Sequence, residues 1–438
     1  MQYLPNIIFA LILLAGIGFF VKNIRKLIRN IKLGKPVDRS DNKSARWKNM
    51  AKIALGQYKM VRRPVSGILH VVVYIGFIII NIEVLEIIID GLFGTHRVFQ
   101  PILGDRVYGF LIGTFEVLAA LVFVSVIVFW IRRNVIKIKR FLNKEMTGWP
   151  KNDGNIILYF EMVLMSLFIV MNATDVHFQE TGVGNTISQF VAPLFNGASL
   201  ETLHIIEQSA WWIHIIGILV FLNYLYYSKH LHILLAFPNT FYAKLQPKGQ
   251  LDNLEAVTKE VQLMMDPNAD PYAAPPEGAE DEVPEKFGAS DVTDLNWVQL
   301  MNSYTCTECG RCTSACPANI TGKELSPRAI MMKTRDRMEE VGKNIDANGG
   351  EFKDDGKQLL NDYISPEELW ACTSCNACVQ ECPVNIDPLS IIMDMRRYLV
   401  MEESAAPQEL NMMMTNIENN GAPWQYNQMD RLNWKDEE

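Results

Sequence analysis

The 438-residue sequence has no cysteine before residue 306 or after residue 382, no histidine after residue 232, and no Lys or Arg from Val176 to Thr202. None of its apolar runs carries the small-residue cleavage site of a secretory signal peptide, and no organelle-targeting segment is present. A formal net charge of -8 gives no surplus of positive charge for nucleic acid. These gaps divide the chain into a histidine-bearing apolar part, up to about residue 240, and an acidic, polar, cysteine-bearing part beyond it.

The eight cysteines form two copies of C-x2-C-x2-C-x3-C-P. Cys306, Cys309, Cys312 and Cys316 precede Pro317; Cys372, Cys375, Cys378 and Cys382 precede Pro383. Four thiolates at this spacing wrap one loop around a 4Fe-4S cubane, and the proline turns the chain away. Structural zinc prefers two C-x2-C pairs with a longer spacer. Disulfides need an oxidising compartment, which the charge pattern below argues against. In such paired motifs the fourth cysteine serves the other cluster. The expected ligand sets are therefore Cys306, Cys309, Cys312 and Cys382 for one 4Fe-4S cluster, and Cys372, Cys375, Cys378 and Cys316 for the other.

Five runs are long enough to span a hydrocarbon core of roughly 30 Å. They lie near Leu4 to Val21, Val65 to Ile89, Val107 to Ile131, Ile156 to Asn172 and Ala210 to Tyr227. Basic loops follow the first span (Lys22, Arg25, Lys26, Arg29) and the third (Arg132, Arg133, Lys137, Lys139). The positive-inside rule then places the N-terminus outside a bacterial cytoplasmic membrane and the cysteines in the cytoplasm. Trp47, Met50, Ala54, Tyr58 and Val61 recur at helical spacing, which predicts an amphipathic interfacial helix, with a solvated connector as the alternative. The expected division is 1–63 (first span and basic segment), 64–244 (bundle), 245–290 (acidic, Pro-rich tether), 291–403 (two-cluster domain) and 404–438 (tail).

All seven histidines fall in the apolar part, where ionisable side chains are costly. His214 and His232 are eighteen residues apart, five turns of a regular helix, so they share a face roughly 27 Å apart along the axis. His230 would point almost oppositely. Bis-histidine haem b needs partners at matching depth. His70 is level with His232 on the inner side, and His177 with His214 on the outer side, with His204 an alternative to either outer ligand. Hydrogen-bonded structural histidines are the competing reading, and His96 reads as solvated. Glu83, Glu86, Glu116 and Glu161 are drawn into the spans; a quinone pocket needs such a proton-exchanging group. The expected fold class is mainly α: a five-helix transmembrane haem-binding bundle followed by an α-helical ferredoxin domain with two 4Fe-4S clusters.

LGQYKMVRRPVSGILH (Leu55 to His70) and the WWIH to SKHLH stretch (Trp211 to His232) resemble the haem-binding membrane subunits of respiratory nitrate reductase and membrane-bound heterodisulfide reductase. YTCTECGRCTSACPA and ACTSCNACVQECPV resemble the two-cluster helical ferredoxin domain of heterodisulfide reductase and of anaerobic glycerol-3-phosphate and glycolate dehydrogenase subunits. Together these stretches cover most of the chain. The second span of the nitrate reductase subunit carries two haem histidines where this one has only His70, so His177 is recruited for the outer haem. Relatives of the ferredoxin half often continue into a CCG-motif domain holding the substrate site. Here NNGAPWQYNQMDRLNW (Asn419 to Trp434) looks like the linker preceding it.

The resemblance implies a membrane electron-transfer subunit linking a quinone (menaquinone or ubiquinone) to a cytoplasmic CCG-domain iron-sulfur or other oxidoreductase subunit, through haem b and the clusters. The alternative is a membrane-anchored iron-sulfur redox sensor or scaffold without sustained turnover, which has no need of histidines at paired depths.

Overall fold

The computed structural model describes residues 3–267 and 286–436; Pro271, Pro275, Pro276 and Pro284 of the expected tether lie outside them. Among the described residues, five helices are long and apolar enough to cross a membrane. They are α1 (Leu4–Ile31), α3 (Pro64–Phe93), α4 (Asp105–Asn134), α5 (Trp149–Thr174) and α6 (Leu200–Tyr224), with α2 (Lys43–Met50) between the first two. Pro64 starts α3 at the one position where a missing N–H costs nothing, and Gly94 stops it in the left-handed conformation at φ 71°. The fifth long helix begins ten residues before its apolar run, because Ser199 caps it by accepting from Thr202 N.

Helices α3 to α6 pack as antiparallel neighbours around Ile112, Phe115, Ala119, Val122, Met165, Phe168 and Phe221. α1 packs against α3 and α6 through Phe9, Leu13, Ile87, Ile215 and Leu219.

The fifth helix is not regular through residue 228. α6 ends at Tyr224, one tighter turn covers Leu225–Tyr227, and Ser228 is extended at φ -117°, ψ 147°. A second tight turn, Lys229–Leu231, leads into α7 (His232–Phe241). Asp153 of α5 holds the break, accepting from Tyr224 Oη at 2.6 Å, Ser228 Oγ at 2.7 Å and Lys229 N at 3.1 Å. The five-turn phasing of His214 and His232 therefore does not apply.

The predicted interfacial helix is also shorter. α2 ends at Met50 and widens into a π-type turn at Ala51–Leu55. Trp47 packs edge-on against Phe241 of α7, and the buried Arg46 donates to the carbonyls of Phe241 and Ala243.

The cysteine-bearing half is built on α8 (Trp297–Thr305), α9 (Pro327–Ala347) and α10 (Pro388–Met401), followed by α11 (Gln408–Asn420), which buries none of its residues. Its core is continuous with the membrane half: Leu27, Leu225 and Leu231 join Leu300, Tyr304, Ile330, Met338, Val341 and Met395. Each such fully buried side chain contributes about 1.5–3 kcal/mol. Polar contacts fix the seat. Trp297 Nε1 donates to Val37 O at 3.0 Å, Arg29 Nη2 to Gly342 O at 2.9 Å, and Asn239 Nδ2 to Val384 O at 2.8 Å. Gly34 passes so close that an added Cβ would sit 2.6 Å from Trp297 N, so only glycine fits. The iron-sulfur half is thus seated on one end of the bundle, here termed the near end.

Candidate functional site

Each cysteine loop makes the same turn. Glu308 and Gly310 take positive φ (53° and 70°) in the first, and Ser374 and Asn376 occupy the corresponding places in the second (50° and 59°). A left-handed backbone at non-glycine residues is uncommon and is kept where surroundings over-determine it. The structure gathers Cys306, Cys309, Cys312 and Cys382 around one small cavity, with Cys378 also on its wall. Cys316 instead lies in electrostatic contact with Cys372 and Cys378, and Cys375 with Cys372. Burial pushes the Cys306 thiol up to about 12 and the Cys382 thiol up to about 11.

Thiols so buried ionise only with compensation, which a cationic iron centre supplies. Backbone amides aim at the sulfurs: Ile386 N lies 3.3 Å from Cys382 Sγ, and Ser374 N 3.4 Å from Cys372 Sγ. Eight thiols without a disulfide, in two sets served by amide donors, fit the chemistry of cluster ligation.

The two sets face differently. Lys59 Nζ donates to Cys382 O at 3.1 Å, and Arg311, beside Cys312, donates to Lys59 O at 3.0 Å, so the first set abuts the near end of the bundle. Cys375 of the second set is exposed.

Beneath the first set, His70 of α3 and His232 of α7 face each other with ring centroids 6.4 Å apart. Two imidazoles facing each other across this gap would serve as a pair of histidine ligands to one metal ion. His70 Nδ1 is buried without a hydrogen-bond partner. His232 Nδ1 lies 3.0 Å from Lys229 O, which can only accept, so the proton sits on Nδ1 and Nε2 keeps its lone pair for a metal. The pair fits the axial ligands of a haem.

His230, set on the opposite face by helical phasing, lies 5.5 Å from His232 and 5.3 Å from Phe221. Burial pushes its imidazole down to about 3, so it is neutral. The break at Ser228 brings it here, and the only local signal is a serine.

At the far end the residues are distributed otherwise than the paired-depth reading expects. His214 is buried against Phe168, ring centroids 6.3 Å apart, with Nδ1 unpartnered. That is six residues before the end of α5, whereas His177 lies beyond that end, exposed. His177 lines a cavity of about 750 Å3 together with His96, His204, Glu83, Asp175, Glu207 and Trp211, and His214 is not on its wall.

His96 is exposed, as expected of a solvated residue, and also places Nε2 3.3 Å from Asp175 Oδ2; that hydrogen bond raises its pKa. Burial alone would raise the Asp175 carboxyl, but His96 and Arg97 together hold it well below the usual range. Arg97 Nε reaches Asp175 at 2.8 Å and Arg97 Nη2 reaches Asn172 at 3.0 Å.

The four acids divide. Glu86 accepts from Tyr108 Oη and Phe99 N, and Glu116 from Asn172 Nδ2, Ile187 N and Ser188 N. Glu161 is partly exposed, and Glu83 is buried with Oε2 unpartnered.

Residues 305–386 match the 4Fe-4S dicluster domain family. Over 98% of its length the chain is 28% identical to the probable iron-sulfur-binding oxidoreductase FadF of Bacillus subtilis, covering 61% of that protein. It is 24% identical over 92% of its length to the EtfAB:quinone oxidoreductase of Syntrophomonas wolfei, covering 55%. Over 35% of its length it is 31% identical to a probable membrane-anchored ferredoxin of Chromohalobacter salexigens, covering 25% of that protein. The protein is a relative of iron-sulfur oxidoreductases that carries a 4Fe-4S domain. It spans about 55–61% of the length of the first two relatives, and no solved structure matches it.

Proposed function

We propose that this protein carries electrons between a membrane quinone and a cytoplasmic oxidoreductase partner. The ligand residues are His70 and His232 for haem b, Cys306, Cys309, Cys312 and Cys382 for a 4Fe-4S cluster at the membrane, and Cys372, Cys375, Cys378 and Cys316 for a second facing solvent. These groups supply one-electron redox chemistry when bound. The observation that carries the reading is the facing pair His70 and His232, ring centroids 6.4 Å apart, at the end of the bundle that the first cysteine set abuts. The chain's own groups do the positioning: the Lys229 carbonyl fixes the His232 tautomer, and Lys59 and Arg311 tie the first cysteine set to the bundle.

The far-end cavity, apolar on one side at Trp211 and acidic on the other at Glu83, suits a quinone headgroup. The relative named as an EtfAB:quinone oxidoreductase supports quinone as the membrane carrier. On the positive-inside argument the far end is extracytoplasmic and the cysteines are cytoplasmic. The partner, a CCG-domain or other oxidoreductase subunit, would dock where Cys375 is exposed and where α11 leaves Met412, Met413 and Ile417 uncovered. His177 and His214 stay in the proposal only as separate candidates for a second haem.

The test is a pyridine haemochrome assay with iron and acid-labile sulfide on the detergent-purified protein, beside H70A and H232A variants. The expected result is eight cluster irons throughout and a haem b Soret band that both substitutions abolish. A wild-type protein with full iron and no haem would sink the haem route.

A further inference from the structure

We propose that the buried ion pair between Lys229 and Glu308 couples the His232 site to the first cysteine set, so that these positioning residues tune both redox centres at once. The inference rests on the haem and cluster assignments above.

Lys229 does two things. Its backbone carbonyl accepts from His232 Nδ1 at 3.0 Å, fixing the ring's orientation and proton. Its ammonium donates to Pro150 O at 2.6 Å and to the Glu308 carboxylate. Glu308 is one of the two residues between Cys306 and Cys309, held at φ 53° on the wall of the first cysteine cavity. Its other oxygen takes Arg335 Nη1 at 2.9 Å. Asp153 completes the group, 3.8 Å from Lys229 Nζ, while the same carboxylate pins the Ser228 break.

The side chains of Lys229 and Glu308 are 9% and 3% exposed, so water and salt screen them little. The quartet Asp153, Lys229, Glu308 and Arg335 is neutral. Such a unit costs less to bury than its separate charges, but it is charged as soon as one member is removed.

A single contiguous path thus runs from the imidazole through the Lys229 backbone, along its side chain, to the turn that shapes the first cluster loop. An electron crossing this junction oxidises iron by one unit on one side and reduces iron by one unit on the other. No proton need move with the electron. What the pair contributes is a fixed local potential felt on both sides, together with a mechanical tie.

The sign of the effect separates this role from a merely structural one. Glu308→Gln leaves positive charge uncompensated and should raise the midpoint potential of the first cluster; Lys229→Met leaves negative charge and should lower it. Each should change the one-electron reduction equilibrium about tenfold, which is about 59 mV. Lys229→Met should also change the low-spin haem EPR signal, because His232 loses the anchor of its acceptor. The double variant should return the cluster close to its original potential. Arg335→Gln, on the side of Glu308 away from His232, should lower the cluster potential and leave the haem signal unchanged.

The experiment is an EPR and optical redox titration of the detergent-purified full chain. Shifts of the same sign in both single variants, or no shift, overturn the proposal. If Lys229→Met does not assemble, an unchanged cluster potential in Arg335→Gln overturns it equally. A wild-type protein without haem would remove the underlying reading instead, and the opposite-signed cluster shifts would still be measurable.

Discussion

Tyr304 Oη accepts a hydrogen bond from Asn30 Nδ2 at 3.0 Å in a buried contact between α1 and α8. One residue belongs to a helix that starts at Leu4; the other stands two residues before the first cysteine of the cluster loops. The bond is flanked by the Lys26 and Arg29 ion pairs to Asp346. The N-terminal helix is therefore a wall of the iron-sulfur half as well as a membrane span.

Asn30→Leu removes the donor and leaves the Tyr304 hydroxyl buried without it, which costs about 1–3 kcal/mol. The expected outcome is a lower temperature for loss of the iron-sulfur absorbance, with iron content at low temperature unchanged. Tyr304→Phe removes the other partner and should be milder if packing is kept. Equal melting of Asn30→Leu and wild type would show that α1 does not brace the cluster domain.

The crossed ligation proposed for the cysteines gives a second outcome. Cys382 shares its cavity with the first three cysteines, with Cys378 also on the wall, whereas Cys316 is off that wall and interacts electrostatically with Cys372 and Cys378. Cys382→Ser should therefore disturb the EPR spectrum of the cluster next to the bundle, and Cys316→Ser that of the one bearing the exposed Cys375. Reversed assignments in those two spectra would refute the crossing.

Much of this was legible from spacing, because cluster loops need ligands at fixed short separations and carry their information locally. Long apolar runs likewise reported five helices by composition alone. What was not legible depends on distant partners. Ser228 is an ordinary serine in the sequence, and the carboxylate that breaks the helix there comes from Asp153, seventy-five residues away. That break overturns the phasing of His214 and His232 and delivers His230 beside the pair. The close seat of the iron-sulfur half, carried by Gly34 and Asn30, likewise leaves no periodic trace.

The far-end pair His96 and Asp175 sets a pH dependence. The His96 pKa is raised above its ordinary value near 6.5, so its contribution is fully present below that pH and is lost as pH rises through the folded value. The Asp175 pKa is depressed, so its contribution is present above the ordinary carboxylate range near 3.9 and is lost only as pH falls through the lower folded value. Hydrogen exchange of the 94–100 loop should therefore quicken above neutral pH. In His96→Ala that pH step should vanish. A step of equal size in the variant would assign the effect to another group.

Glu83 carries the last prediction. It is 3% exposed, its Oε2 has no partner, and it lines the far-end cavity, whereas Glu86 and Glu116 are saturated with donors. A proton-exchanging carboxyl beside a cavity roomy enough for a quinone headgroup is what quinol oxidation requires, and loss of such a group costs about 10²-fold or more in rate. Glu83→Gln keeps the shape and removes the exchange. Quinol-driven reduction of the clusters should fall about 10²-fold, while haem content and reduction by dithionite stay unchanged. Glu116→Gln weakens the acceptor for Ile187 N and Ser188 N, so it should lower thermal stability and quinol turnover together. The contrast between the two variants is decisive: undiminished quinol turnover in Glu83→Gln would move the proton-exchanging group, and with it the quinone, away from this cavity.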